Sequence, residues 1–311
     1  MIKKFIRDHK VHKSIVSYSI FDYIFLYKPI YLVGPTAMIL SGMYLANFGS
    51  NNIPIGISSV NLNTALFIKG LLMIISCIFI KNQIDESCGK SNSQFIFLGD
   101  SPVGNTINTN VAKIIHNITL GLGFLLVAIT NWITILPITI VYFIWTSSLF
   151  ESIDLLRKIC LNAFIALLLL LSGYLYSSLS LLLFLSLSIQ YILFFVSIVI
   201  LISCSNEKKV ALISSGLMLA AFFISYFNND PLATTAISIS IPFHLFLASR
   251  GFERDLIRAI RYPIFLLNFF IFTIYPLSII PMVIIFYISK YYYWHKFNIH
   301  FPALAINNDY D

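Results

Sequence analysis

The sequence predicts an all-α fold: a polytopic integral membrane protein whose nine transmembrane helices form a single bundle. Three observations carry this expectation. Hydrophobic residues make up 58% of the 311 positions and charged residues only 11%, with a mean hydropathy of +0.86, so the chain lacks the polar surface a water-soluble globule needs. Apolar stretches recur from end to end with short polar connections between them, which leaves no room for a soluble domain of useful size. Those stretches are rich in Leu and Ile and show no strand-like alternation. Because lipid offers the backbone no hydrogen bonds, they read as helices rather than barrel strands.

Residues 1–29 put their basic residues first and lack the compact apolar core and small-residue cleavage site of a removable signal. They read as a cytoplasmic arm ending in an interfacial helix. Residues 30–302 hold the bundle. At about 20 apolar residues per crossing, the spans fall near 30–48, 63–81, 111–130, 132–150, 158–176, 181–203, 209–227, 231–249 and 263–289. Residues 303–311 form a C-terminal tail. Cys77, Cys88, Cys160 and Cys204 are scattered and stand near no histidine at metal-ligand spacing, the pattern of free thiols.

Lysine and arginine set the orientation, because they stay on the cytoplasmic side during insertion. The segments before spans 1, 3, 5, 7 and 9 hold Lys3, Lys4, Arg7, Lys10, Lys13, Lys28, Lys81, Lys90, Lys113, Arg157, Lys158, Lys208, Lys209, Arg250, Arg254, Arg258 and Arg261, and the opposite loops hold none. The N-terminus is therefore expected in the cytoplasm. Lys290 and Lys296, after the last span, depart from the pattern, and Lys69 lies within span 2, where it faces the bundle or snorkels to the outer interface. The net charge of +7 follows from this topology and from attraction to anionic lipid; nothing in it points to nucleic acid.

Polar groups with a function belong where cytoplasmic connections meet helix ends. The 2–3 connection is the longest, and "FIKNQIDESCGKSNSQFIFLGD" at 79–100 holds its carboxylates, amides and Lys90. If span 2 continues as a helix, Asn82 and Asp85 share a face, while Glu86 sits about 100° round from Asp85 and one turn from Lys90. That pattern equally describes a solvated helix end with a Glu86–Lys90 pair. The 8–9 connection, "SRGFERDLIRAIRYP" at 249–263, spaces Arg250, Arg254 and Arg258 by four, a cationic stripe if helical. Such a stripe can hold a diphosphate or a phospholipid headgroup through forked guanidinium contacts, or simply anchor the loop with Arg250–Glu253 and Asp255–Arg258 pairs. His116 and His244 have no ligand-spaced partners and read as hydrogen-bonded interior residues. Glu151 and Asp154 read as a solvated helix end beside Arg157 and Lys158, and "KYYYWHK" at 290–296 as an aromatic and basic interface belt.

The 2–3 segment resembles the first signature of the UbiA-type intramembrane prenyltransferases, a pattern like N-Q/D-x-x-D-x-x-x-D followed by N-x-K-L-F-L. With one residue deleted, Asn82, Gln83 and Asp85 take the leading positions and "NSQFIF" at 92–97 the trailing ones. The nine-helix count and the ending "IRAIRYPIFLLNFFIFTIYP" through "KYYYWHKFNIHFP" are similar to bacterial members as well, so the likeness covers about residues 20–302. The resemblance implies transfer of a polyprenyl group from an isoprenyl diphosphate to an aromatic or lipid acceptor, with Mg²⁺ bridging the diphosphate to two aspartate-rich motifs. On this chain it implies Asp85 as the metal ligand, Asn82 in support, and Lys90, Arg250, Arg254 and Arg258 on the diphosphate.

The sequence also departs from the family pattern. Gly89 stands one turn after Asp85 where a second carboxylate belongs, and "SCSNEKKVALISSG" at 203–216 keeps the trailing part of the second motif but only Glu207 of its acids. A leaving group with about three negative charges needs hard cations held by several carboxylate oxygens. The alternative expectation is therefore a catalytically degenerate relative that binds an isoprenoid, lipid or pigment without transferring it. An unrelated carrier is a third class, for which no inverted-repeat pairing is visible.

Overall fold

The structure is a computed structural model that describes residues 24–27, 29–49, 62–87, 109–147, 155–178, 180–203, 208–276 and 279–297. Among the described residues ten α-helices follow a 3-10 turn at Pro29–Leu32: α1 (Val33–Gly49), α2 (Leu62–Ser87), α3 (Thr109–Asn131), α4 (Ile135–Thr146), α5 (Leu155–Ser177), α6 (Leu181–Ser203), α7 (Lys208–Phe227), α8 (Pro231–Arg250), α9 (Glu253–Ile274) and α10 (Ile279–Phe297). No strand occurs among the described residues.

The helices show apolar side chains on both their inner and outer faces. On α3, Ile114, Ile118, Leu122, Leu125 and Ile129 form an exposed stripe at helical spacing, while Ala112, Thr119, Gly123 and Val127 on the other side are buried. A helix that turns large aliphatics outward and small residues inward is built for an apolar solvent. Seven helical runs among the described residues are long and apolar enough to cross a membrane: Leu62–Asn82, Thr109–Thr146, Ile159–Ser177, Leu181–Leu201, Lys209–Phe227, Pro231–Arg250 and Asp255–Ile274.

Packing is closest where glycine permits it. α1 crosses α5 so tightly that a methyl group at Gly42 would fall on the carbonyl oxygen of Leu170, and one at Gly173 on the carbonyl oxygen of Ile39. α2 and α3 meet at Gly70 and Gly123 in the same way, though less tightly. α6, α7, α8 and α9 pack in succession, and α9 also touches α1.

The structure does not reproduce the nine expected spans. The span expected at 30–48 is a 3-10 turn followed by the 17-residue α1. The pair expected at 111–130 and 132–150 corresponds to α3 and α4, which together make the one apolar run Thr109–Thr146 and part where Asn131 turns extended (φ −160°, ψ 98°) and accepts a hydrogen bond from the Ile133 N–H. The run doubles back there, because the Tyr142 hydroxyl near its end meets His116 Nε2 near its start at 3.1 Å. α4, at 12 residues, spans only about 18 Å.

The largest departure is at the C-terminus. The span expected at 263–289 is two helices, because Tyr275 leaves helical geometry (φ −115°, ψ 69°) just before Pro276, whose ring disfavours the α conformation in the preceding residue. α9 therefore starts ten residues earlier than the expected span, at Glu253, and α10 runs back. Tyr292 of α10 joins a buried cluster with Phe25, Leu26, Ile80, Ile84 and Ala112 and stacks on Phe25 at 3.8 Å between centroids. α10 thus finishes at the end of the bundle where α2 finishes and α3 begins. We call this the basic end, since Lys81 and Lys113 flank that cluster in sequence. Lys290 and Lys296 border Tyr292, so the departure from the charge pattern disappears once the helix is split.

Candidate functional site

The turn between α8 and α9 sits at the basic end and is short because of two residues. Gly251 takes left-handed geometry (φ 67°, ψ 21°) and donates its N–H to the Leu247 carbonyl, which closes α8 at little steric cost. Phe252 is extended and α9 begins at once. The reversal brings the last turn of α8 against the first two turns of α9.

A hollow of about 250 Å³ opens there, lined by Phe243, Phe246, Arg250, Asp255, Arg258 and Tyr262. The Arg250 guanidinium lies 4.8 Å from the centre of the Phe246 ring, a cation–π distance. Arg258 Nη1 donates to Asp255 Oδ1 at 3.4 Å, with the arginine side chain 53% exposed and the aspartate 6%. The Phe243 and Tyr262 rings stand 4.7 Å apart as a wall. Phe246 and Tyr262 are also exposed. Asp255 Oδ2 is buried and has no hydrogen-bond partner.

Two arginines of the expected stripe, Arg250 and Arg258, are therefore brought together. Arg254 lies between them in the first turn of α9, but its side chain, like Lys90, Glu207, Glu151 and Asp154, is outside the described residues. The expected Asp255–Arg258 pair is present. The walls supplied by Phe243, Phe246 and Tyr262, and the role of Asp255 as more than an arginine's partner, were missed from sequence. The signal available was the i, i+3 spacing of Phe243 and Phe246 in the turn before Arg250.

The expected metal residues sit elsewhere. Asn82 and Asp85 lie in the last turns of α2, partly buried, and line no part of the arginine hollow. α2 packs chiefly on α3, whereas α9 packs on α8. Around Asp85 are groups from α3 and α4: Tyr142 lies within its electrostatic reach, bonded to His116, whose Nδ1 is 3.0 Å from Asn117 Oδ1. Lys81 does not pair with Asp85 but donates to the Thr146 carbonyl at 3.1 Å. No group of three or more His, Cys, Asp or Glu able to hold a metal occurs among the described residues. A magnesium diphosphate needs several carboxylate oxygens at once, so the described residues do not fit the Mg²⁺ that the resemblance implied.

Two further polar sites are interior. His244 is buried, with Nδ1 2.9 Å from Ser214 Oγ, while Ser215 Oγ donates to the His244 carbonyl at 3.0 Å. This is the hydrogen-bonded interior histidine expected from sequence. Lys69 is exposed and so faces outward rather than into the bundle. At the far end, Asp230 caps α8 and accepts four hydrogen bonds: from Tyr44 at 3.1 Å, Gln190 at 3.2 Å, Tyr191 at 3.0 Å and the Ala233 N–H at 3.1 Å. Burial holds its carboxyl above the ordinary carboxylate value, an effect that the Ala233 N–H and the side chains of Gln190, Tyr191 and Tyr44 partly offset. The carboxylate ties α1, α6 and α8 together. Sequence reasoning passed over it, although "NNDPLA" at 228–233 carries the signature of an N-cap Asp followed by Pro at the first helical position.

Comparison with protein-family models, curated proteins and solved structures finds no match.

Proposed function

We propose that this protein is a membrane-embedded binder of a phosphate-headed amphiphile, related in architecture to the UbiA-type prenyltransferases but holding its ligand without transferring the tail. The observation that carries the reading is the hollow at the α8–α9 turn, which two arginines and three aromatic residues line together. Guanidinium forks match phosphate oxygens, and Phe243, Phe246 and Tyr262 offer hydrocarbon a dry surface. Charge supports a modest anion. Among the described side chains that line the hollow, Arg250, Arg258 and Asp255 sum to about one net positive charge. That suits a phosphodiester better than a diphosphate.

Prenyl transfer is the second reading, favoured by the placing of Asn82 and Asp85 in one partly open helix end beside Tyr142 and His116. In either reading the basic end faces the cytoplasm, as the positive-inside rule requires, and the N-terminus lies on that side.

One experiment separates the two. Purified protein is incubated with isotope-labelled farnesyl diphosphate and with a fluorescent-tailed phospholipid, with and without Mg²⁺. The proposal expects phospholipid binding that falls at least about tenfold in the double variant Arg250→Ala, Arg258→Ala, each lost charged contact being worth about 1.5–3 kcal/mol, and no metal-dependent diphosphate release. Release of diphosphate that disappears in Asp85→Ala would establish transfer instead.

A further inference from the structure

Asp255 poses a problem that the arginines do not solve. Its side chain is 6% exposed, yet only Oδ1 has a donor, Arg258 at the long distance of 3.4 Å, and Oδ2 has none. A buried carboxylate oxygen without a donor is costly and persists where something completes it. The position in the first turn of α9 favours a negative charge, since helix N-termini attract anions, but it does not supply a hydrogen bond to Oδ2. Arg250, the other cation of the hollow, is turned over the Phe246 ring instead. Asp255 lines the hollow, so a ligand there can bring the missing donor.

We propose that this hollow selects a phosphodiester headgroup that carries a primary ammonium, with the phosphate held by Arg250 and Arg258 and an ammonium N–H donated to Asp255. The inference rests on the reading of the hollow as a phosphate-headed amphiphile site and adds the headgroup chemistry. Both charges of such a headgroup meet a complementary partner. The exposed Arg258 can take phosphate on its outer nitrogens while Nη1 stays on Oδ1. A quaternary ammonium has no N–H to give and stacks on aromatic rings by cation–π contact alone. A bare phosphate monoester leaves Oδ2 unsatisfied and sets its own charge against the carboxylate.

The test uses the full chain in nanodiscs or detergent and compares phosphatidylethanolamine, phosphatidylcholine and phosphatidic acid with identical acyl chains, by competition against a fluorescent-tailed phosphatidylethanolamine. The wild type should prefer phosphatidylethanolamine over both others by at least about tenfold, the value of one charge-assisted hydrogen bond. Asp255→Asn should abolish the preference for phosphatidylethanolamine over phosphatidylcholine. If that variant does not fold, the headgroup series on wild-type protein decides by itself. Equal binding of phosphatidylethanolamine and phosphatidylcholine, still dependent on Arg250 and Arg258, overturns the ammonium inference but leaves the amphiphile reading standing. Binding indifferent to Arg250→Ala, Arg258→Ala overturns both. Glycerophosphoethanolamine forms a last arm: effective competition supports the same headgroup chemistry from a soluble source, and its failure beside a clear phosphatidylethanolamine preference supports a membrane lipid.

Discussion

Replacing Asp230 by alanine removes an acceptor shared by three helices. Tyr44 on α1, Gln190 and Tyr191 on α6, and the Ala233 N–H in the first turn of α8 all donate to it. A buried donor left without a partner costs about 1–3 kcal/mol, so four stranded at the lower end of that range give about 4 kcal/mol. Asp230→Asn keeps the shape and one acceptor oxygen but turns an amide N–H₂ toward Gln190 and Tyr191. Gln190 cannot flip freely to receive it, because its Oε1 already accepts from Asn228 Nδ2 at 3.0 Å; a cost of about 1–2 kcal/mol is expected. The assay is unfolding in mixed micelles of increasing SDS fraction, followed by tryptophan fluorescence, with the order wild type, Asn, Ala. The pH dependence has a definite sign. Burial raises the folded carboxyl above its ordinary value of 3.8, so the folded state holds its proton more tightly than the unfolded one. Stability therefore falls as pH rises from about 4 through the folded value and is level above it. That slope should vanish in Asp230→Asn. Asp230→Ala within about 0.5 kcal/mol of wild type, the range of an inconsequential surface change, would refute the node; an identical pH slope in Asp230→Asn would refute the assignment of the titration.

Two other outcomes follow from the packing and the split C-terminal helix. Gly173→Ala and Gly42→Ala should each destabilise the bundle severely, since their methyl groups would meet the backbone of Ile39 and Leu170, whereas Gly121→Ala, which meets nothing within 4 Å, should be neutral or stabilising by up to about 1 kcal/mol; thermal stability of the three purified variants checks this. Reporters fused before Met1 and after Asp311 should fall on the same side of the membrane, because α10 returns to the end where α2 finishes; opposite sides would restore a single last span.

Much of the fold was legible because hydropathy reads burial in lipid directly. The cores of α2, α5, α6, α7 and α8 fall where the apolar runs do, and every Lys and Arg except Lys69 lies at or beside a connection of one parity or in the second half of α10. What hydropathy could not read was interruption inside an apolar run. Tyr275 breaks the helix while its neighbours stay as greasy as before, whereas the break at Asn131 falls where the spans expected at 111–130 and 132–150 already part. Pro276 beside Tyr275 was a usable signal that a window of about 20 residues averages away. The misplaced lysines were the better clue. Lys290 and Lys296 contradicted the expected topology, and the contradiction pointed to the missing turn.

The candidate site was legible by the same kind of partial evidence. Spacing alone put Arg250, Arg254 and Arg258 on one side of a presumed continuous helix, but the helix is not continuous: Gly251 ends α8 and Phe252 separates it from α9. Arg250 reaches Arg258 because the chain reverses, not because the two share a helix face. A reversal draws residues from two helices into one hollow, which is how Phe243, Phe246 and Arg250 of α8 come to line it with Asp255, Arg258 and Tyr262 of α9. A straight stripe would have presented three guanidiniums to a highly charged diphosphate. Among the described side chains the folded turn presents two, with a carboxylate beside them, and that balance of charge is what the proposed phosphodiester reading rests on.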